Sequence, residues 1–283
     1  MIHKLSHHDI DDLYGLSREA GWEHTPADWD TLLKSGNAFG HRNESGKVIS
    51  SLVLTSFGKT MTALGMLIVR EENRRLGLAT SLLRHAINES NPESRPLMLC
   101  SGKTVEGYYQ NFGFRTVERL SKLEAGPNIE VPDSGFSSKI DVHPFNSENL
   151  ERVIGLDTEV HGYDRSAMLT VRAEQATTKT VMLKKGGGTL LGYGFGILQG
   201  EQMLVGPVIA FNRFTAQEII REVTKDHNGP VRIDVMHQRQ DLKEVLLDAG
   251  FKETERQPIM LLGASELPGR RDHIFSPASQ AWC

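Results

Sequence analysis

The sequence has few of the residues that mark several common functions. It contains two cysteines, Cys100 and Cys283, in 283 residues. That number excludes a disulfide framework and a four-cysteine zinc site. A basic excess is also missing: 32 Lys and Arg stand against 36 Asp and Glu, for a net charge of −4. A surface built to coat phosphate backbones is therefore not expected, nor a nucleic-acid partner. No apolar run reaches the roughly 18 residues of a transmembrane helix, so no membrane association is expected. Met1-Ile2-His3-Lys4 leads into polar residues rather than the apolar stretch of a secretory signal, so the expected compartment is the cytoplasm. His7, His8, His161 and His237 have no second ligand at chelating spacing, and no metal is expected.

The remaining composition is that of a folded protein, 39% hydrophobic and 24% charged. The length suits about two domains. Thr25-Pro26-Ala27-Asp28 opens a helix with a hydroxyl cap, a first-turn proline and an acid at the positive end. Residues 62–69 form an apolar strand, and 78–87 an amphipathic helix with Leu78, Leu82, Leu83, Ala86 and Ile87 on one side. Short strands are predicted at 97–100 and 114–120, with a short helix at 105–111 between them. From Ala125 to Ser138 the composition turns to Gly, Pro and Ser, as in a linker. The predicted division is residues 1–124, a linker at 125–138, and residues 139–283.

The second part repeats the order of the first. Arg95-Pro96-Leu97-Met98-Leu99-Cys100 precedes Gly113-Phe114, and Gly229-Pro230-Val231-Arg232-Ile233-Asp234 precedes Gly250-Phe251. The two Gly-Phe pairs lie 137 residues apart, close to half the chain. Duplication of one α/β (α+β) fold is the expectation.

The segment that carries chemistry follows Leu67-Ile68-Val69. After that strand come Arg74, Arg75, Leu76, Gly77, Leu78, Ala79 and Thr80 at the mouth of a helix. Unpaired N–H groups at a helix N-terminus carry positive partial charge, and small side chains let an anion reach them. Two arginines add formal charge at the rim. The predicted ligand group is a diphosphate.

These residues resemble the GNAT superfamily of acetyl-CoA-dependent N-acetyltransferases. Its pattern Arg/Gln-x-x-Gly-x-Gly/Ala stands here as Arg74-x-x-Gly77-x-Ala79, and its later Tyr-x-x-x-Gly-Phe as Tyr109 to Phe114. The whole chain is similar to the bacterial two-domain, YitH-like type, through Ala20-Gly21-Trp22, Thr25, Asp28-Trp29, Leu156-Asp157, Gly162 to Ser166 and Gly206 to Ala210. The resemblance implies tandem GNAT folds, each a mixed, mostly antiparallel sheet flanked by helices. An N-terminal catalytic domain would be followed by a degenerate one. The degeneracy is visible: Phe211-Asn212-Arg213-Phe214 stands where a second cradle would be, so one donor site per chain is expected.

The resemblance further implies acetyl-CoA as co-substrate and direct attack by the amine of a small metabolite. Backbone N–H groups at Leu67-Ile68-Val69 would polarise the thioester carbonyl, and Tyr109 would protonate the departing thiolate, with Tyr108 one register away. An alkyl ammonium must first lose a proton, and the sequence does not identify the base. Asp28, Asp157, Glu159 and Asp164 are the candidate acids. Trp22, Asp28, Asp157, Tyr163 and Asp164 are the candidate acceptor residues, with Trp29 and Tyr193 as further aromatics. A peptide acetyltransferase and a non-catalytic acyl-CoA sensor are the alternatives, and the chain is expected to be a monomer or homodimer.

Overall fold

The computed structural model describes residues 1–282. Its first half comprises β1 (His3–Leu5), α1 (Ile10–Glu19), α2 (Pro26–Ser35), β2 (Asn37–Arg42), β3 (Val48–Phe57), β4 (Met61–Val69), α3 (Leu78–Ser90), β5 (Leu97–Cys100), α4 (Glu106–Gln110) and β6 (Arg115–Ala125). The second half repeats this order as β7 (Ile140–Pro144), α5 (Ser147–His161), α6 (Ser166–Gln175), β8 (Thr178–Lys184), β9 (Leu190–Gln199), β10 (Gln202–Ala210), α7 (Arg213–Thr224), β11 (Val231–Met236), α8 (Gln240–Asp248) and β12 (Lys252–Leu262). One further strand, β13 (Ile274–Ser276), has no counterpart in the first half. Thr25 caps α2 as its sequence predicts: its hydroxyl accepts the Asp28 N–H at 3.3 Å, and Asp28 accepts the Thr25 N–H at 2.8 Å.

The halves do not form two sheets. All thirteen strands of the described residues join in one, ordered β1-β2-β3-β4-β5-β12-β6-β11-β10-β9-β8-β7, with β13 beside β10. The pairing is antiparallel except for β4 with β5 and β10 with β11. At the centre the last strands are exchanged. β12 of the second half pairs with β5, and β6 of the first half pairs with β11. β6 and β12 then pair with each other, Arg115 with Leu261 at one end and Glu124 with Lys252 at the other. Equivalent residues of the two copies thus swap roles across the middle, as in a twofold interface.

Strand alternation assigns the faces. Leu97 and Leu99 pack with Leu82, Leu83 and Ala86 of α3, whereas Met98 packs with Leu13, Leu16 and Trp29 of α1 and α2. The second of these cores continues into the other half through Val153 and Val160 of α5 and Met168 and Leu169 of α6. One apolar cluster therefore spans both copies on that face. The segment after β13 is part of it. Trp282 is buried, its indole N–H donates to Thr55 Oγ1 at 3.1 Å, and the Arg172 guanidinium lies over its ring at 5.3 Å. Gly65 of β4 is required here: a Cβ would sit 2.8 Å from the Ala281 carbonyl oxygen and 3.0 Å from its Cα.

Candidate active site

A bulge divides β4. Val53 pairs with Gly65 and Ser51 with Ile68, so Met66 and Leu67 stand opposite Leu52 alone. Met66 takes a left-handed backbone, φ 55, and its carbonyl accepts the Ser51 hydroxyl at 2.9 Å. The parallel ladder to β5 ends just before, at Leu64 and Leu99. Beyond it β4 runs on through Leu67, Ile68 and Val69 while β5 stops at Cys100, leaving a wedge between the strands.

The loop that follows Val69 is tied down at its start. Arg70 pairs with Glu19 at 2.8 Å, the other Glu19 oxygen accepts the Glu71 N–H at 2.6 Å, and Arg74 Nε donates to the Val69 carbonyl at 3.3 Å. Arg75, φ 67, and Gly77, φ 77, turn the chain into α3. Nothing lies within 4 Å of where a Gly77 Cβ would be, so the backbone there is open to an approaching group. α3 has no side-chain cap and no acid in its first turn. Its first N–H groups, around Leu78, Ala79 and Thr80, meet solvent at the positive end of the helix. Arg74, Arg75 and Leu76 are exposed beside them. This arrangement fits a diphosphate.

The same places in the second half are closed. Only two residues separate β10 from α7, and the first turn of α7 is capped by Asn212, whose side chain accepts the Thr215 N–H at 2.9 Å. Phe214, at the start of α7, is stacked on Phe136 at 5.7 Å. The wedge between β10 and β11 opens after Val205 and Ile233, and β13 fills it. Ile274 and Ser276 pair with Ile209 and Val208, and the Ser276 hydroxyl donates to the Val205 carbonyl at 3.1 Å. Nothing in the Gly- and Pro-rich sequence around residues 263–277 announces a strand, and β13 is absent from the sequence reading.

Tyr109 sits on α4 and packs with Leu97, Leu99 and Phe114 on the α3 side of β5. Burial raises its phenol pKa, with Tyr108 and Cys100 adding to the rise, so Tyr109 keeps its proton at neutral pH. Tyr108 packs at the edge of the same cluster, its hydroxyl 3.3 Å from Thr80 Oγ1 at the mouth of α3.

The expected acceptor residues are not brought together. Asp157 is buried in the second half, bound by Arg165 at 2.6 and 2.9 Å and by the Tyr193 hydroxyl. Burial alone would raise its pKa, but the Arg165 and His161 charges and the hydrogen bonds from Arg165 and Tyr193 together outweigh this and hold it at about 2. Tyr163 is also buried, stacked on Phe57 at 5.4 Å. Neither side chain lines an open cleft, and Asp157 is a buried structural ion pair. Asp164 is exposed and accepts the Ser166 N–H at 2.8 Å, at the start of α6. Glu159 is exposed and paired with Arg270. Trp29 is a core residue, its indole N–H on Ser17 Oγ at 3.1 Å. Trp22 is exposed, near the His24 ring.

Asp28 joins the two halves. Gln175 Nε2 donates to it at 2.9 Å, Gln199 Nε2 at 3.1 Å and Arg172 Nη1 at 3.4 Å. Arg172 Nη2 also donates to the Ala278 carbonyl at 3.1 Å. The cavity lined by His24, Asp28, Arg172, Gln199 and Trp282 has a volume of about 10 Å³. That is room for about one water molecule and not for an acceptor, so Asp28 acts as a clamp. Burial lowers the His24 pKa to about 4 despite Asp28. Among the described residues no group of three or more His, Cys, Asp or Glu could hold a metal ion, and no helix is long and apolar enough to cross a membrane.

Comparison with known proteins matches both halves to one family. Profiles of the acetyltransferase (GNAT) domain match residues 23–126 and, separately, 153–276. The chain is 27% identical to YitH of Bacillus subtilis (strain 168), an uncharacterized N-acetyltransferase, over 98% of this chain and 96% of that one. A presumed acetyltransferase from Pyrococcus horikoshii shares the fold with a TM-score of 0.79, at 14% identity, over 100% of this chain and 95% of its own. A tandem GNAT protein of the clavulanic acid biosynthesis pathway superposes with a TM-score of 0.66, also at 14% identity, over 93% of this chain and 98% of its own.

Proposed function

Because the chain belongs to the GNAT superfamily, with two such domains in tandem, and is thereby an acyltransferase, we propose that it transfers acetyl from acetyl-CoA to the amine of a small metabolite within a ternary complex. The carrying observation is the asymmetry between the two copies: among the described residues one wedge holds no strand and lies beside an uncapped helix, and the other is filled by β13 beside a capped one. In this reading residues 1–124 hold the donor, 125–138 connect, and 139–283 cover the acceptor side. The reaction takes place in the cytoplasm.

The residues present suit the donor. Leu78, Ala79 and Thr80 at the mouth of α3, with Arg74, Arg75 and Leu76 beside them, would hold its diphosphate, and the gap over Gly77 admits it. When bound, the donor supplies an activated thioester. The backbone at Leu67-Ile68-Val69, past the β4 bulge, would donate to the thioester oxygen as negative charge develops there. Tyr109 holds a proton at neutral pH and would give it to the leaving sulfur. A small acceptor is favoured over a peptide because the segment Ala278–Trp282, held by Arg172 of α6, lies against Gly65 of β4, where a peptide would need an open groove.

The test is thiol release from acetyl-CoA with a panel of amines: a polyamine, an amino sugar, an amino acid and a lysine-bearing peptide. Acceptor-dependent release with one of the small amines is expected. Faster release with the peptide would overturn the choice of acceptor, and donor binding without turnover would leave only a sensor.

A further inference from the structure

The transfer above needs a group that takes the proton of an ammonium acceptor, and the strand that borders the wedge, Met61–Val69, carries no acid. We propose that Glu255 is this group, carried into the first half's site by the exchanged strand β12. The inference rests on the transfer reading and adds the residue that starts it.

β12 is the neighbour of β5 on the side away from β4, with Cys100 opposite Ile259 and the Ser101 N–H on the Pro258 carbonyl at 3.1 Å. Past Cys100, β5 ends, while β12 extends along β6 through Gln257 and Glu255. Glu255, Gln257 and Ile259 share a face by strand alternation. Ile259 packs in the core beneath α1 and α2, so this is the side opposite Tyr109 and α3. A Cβ on Gly102 would lie 3.8 Å from Glu255 Oε1, and no side chain at 102 stands between that oxygen and the end of β5.

The carboxylate is held but not neutralised. Gln257 Nε2 donates to Glu255 Oε2 at 2.9 Å, which fixes its direction with a neutral group. The other acids of β6 and β12 have cations: Glu118 with Arg271, Glu124 with Lys122, and Glu253 with Lys243 and Arg256. Glu255 has no ion pair among the described residues and is half-buried, so it can accept a proton from a cationic partner. Glu255 and Tyr109 thus flank the tip of β5 from its two faces.

The protons balance. The ammonium nitrogen gives one proton to Glu255, which passes it to solvent. The neutral amine forms the C–N bond to the acetyl carbon and the C–S bond breaks. Tyr109 protonates the sulfur, and the second proton lost by the nitrogen restores the Tyr109 phenol.

The experiment compares wild type, Glu255→Gln and Glu255→Asp, using acetyl-CoA and the amine of the panel that gives the fastest release. For Glu255→Gln, kcat/KM for the amine falls about 100-fold at neutral pH, while acetyl-CoA binding by calorimetry and thermal unfolding stay as in wild type. Its rate then recovers as pH rises toward the amine's own pKa, and Glu255→Asp retains part of the activity. A Glu255→Gln rate and pH profile equal to wild type overturn the proposal and leave the transfer reading intact. A loss that high pH does not restore also overturns it, as the role would then be positional. A wild type that releases thiol with no amine overturns the transfer reading itself.

Discussion

The sharpest physical prediction concerns Trp282. Its side chain is 1% exposed, sits in the core that spans both halves, hydrogen-bonds Thr55 and lies under Arg172. Replacing it with alanine removes a buried aromatic and leaves a cavity, which costs about 3–5 kcal/mol. The Thr55 hydroxyl, itself buried, loses its donor, and Arg172 loses the ring against which its charge is packed. Trp282→Phe separates the contributions. It keeps most of the apolar contact but drops the N–H, and should cost about 1–2 kcal/mol. Urea unfolding followed by fluorescence and circular dichroism reads both. The midpoint should fall with the slope unchanged, because the exposed area on unfolding is the same. A loss for Trp282→Ala of less than about 1 kcal/mol, the level typical of surface changes, would refute the view that this segment is built into the core.

Other outcomes follow from the site. Tyr109→Phe should lower turnover about 100-fold or more while acetyl-CoA affinity changes little; equal turnover removes the phenol from the proton chemistry. Gly77→Glu should abolish donor binding, since a carboxylate would enter the open space at the α3 mouth. Gly77→Ala serves as the control for the left-handed backbone, with an expected strain of about 1–2 kcal/mol and binding that persists; calorimetric titration decides between them. Acid stability should fall early. Burial lowers His24 to about 4 and His161 to about 3, so both bind protons only on unfolding as pH drops below 6.5. Each contributes a loss of roughly 1 kcal/mol per pH unit there, and the lowered Asp157 extends the loss below its unfolded value of 3.8. Replacing His161 with a neutral residue should flatten the profile between pH 6 and 4 in denaturant titrations; an unchanged slope would show that His161 does not titrate as buried.

The duplication, the turn at Gly77 into α3 and the short helix that carries Tyr109 were legible because each rests on local signals. Gly77 and Ala79 follow an apolar strand at fixed spacing, and the Gly-Phe pairs mark the same turn twice. Three strands escaped. β7 and β13 are short and lie in segments rich in turn residues. The first half of β12, Lys252 to Arg256, is Lys-Glu-Thr-Glu-Arg, which shows no apolar alternation. Lys252 stands opposite Glu124 of β6, and Glu253 is met by Lys243 of α8 and by Arg256. The acids misled for a related reason. Asp157 on an amphipathic helix looks like an exposed acid until Arg165 and Tyr193 are folded against it. Glu255 gave no local signal, because its place depends on which copy's strand lies beside β5.

The crossed strands at the centre have a consequence for symmetry. Two identical chains associated in this way would each carry the same wedge, and any segment able to block one would silence the pair. Joined covalently, the copies are free to differ. β13 can stopper a single wedge, so the proposed reading leaves the chemistry to one copy and makes its twin a scaffold and the donor of a strand to the other.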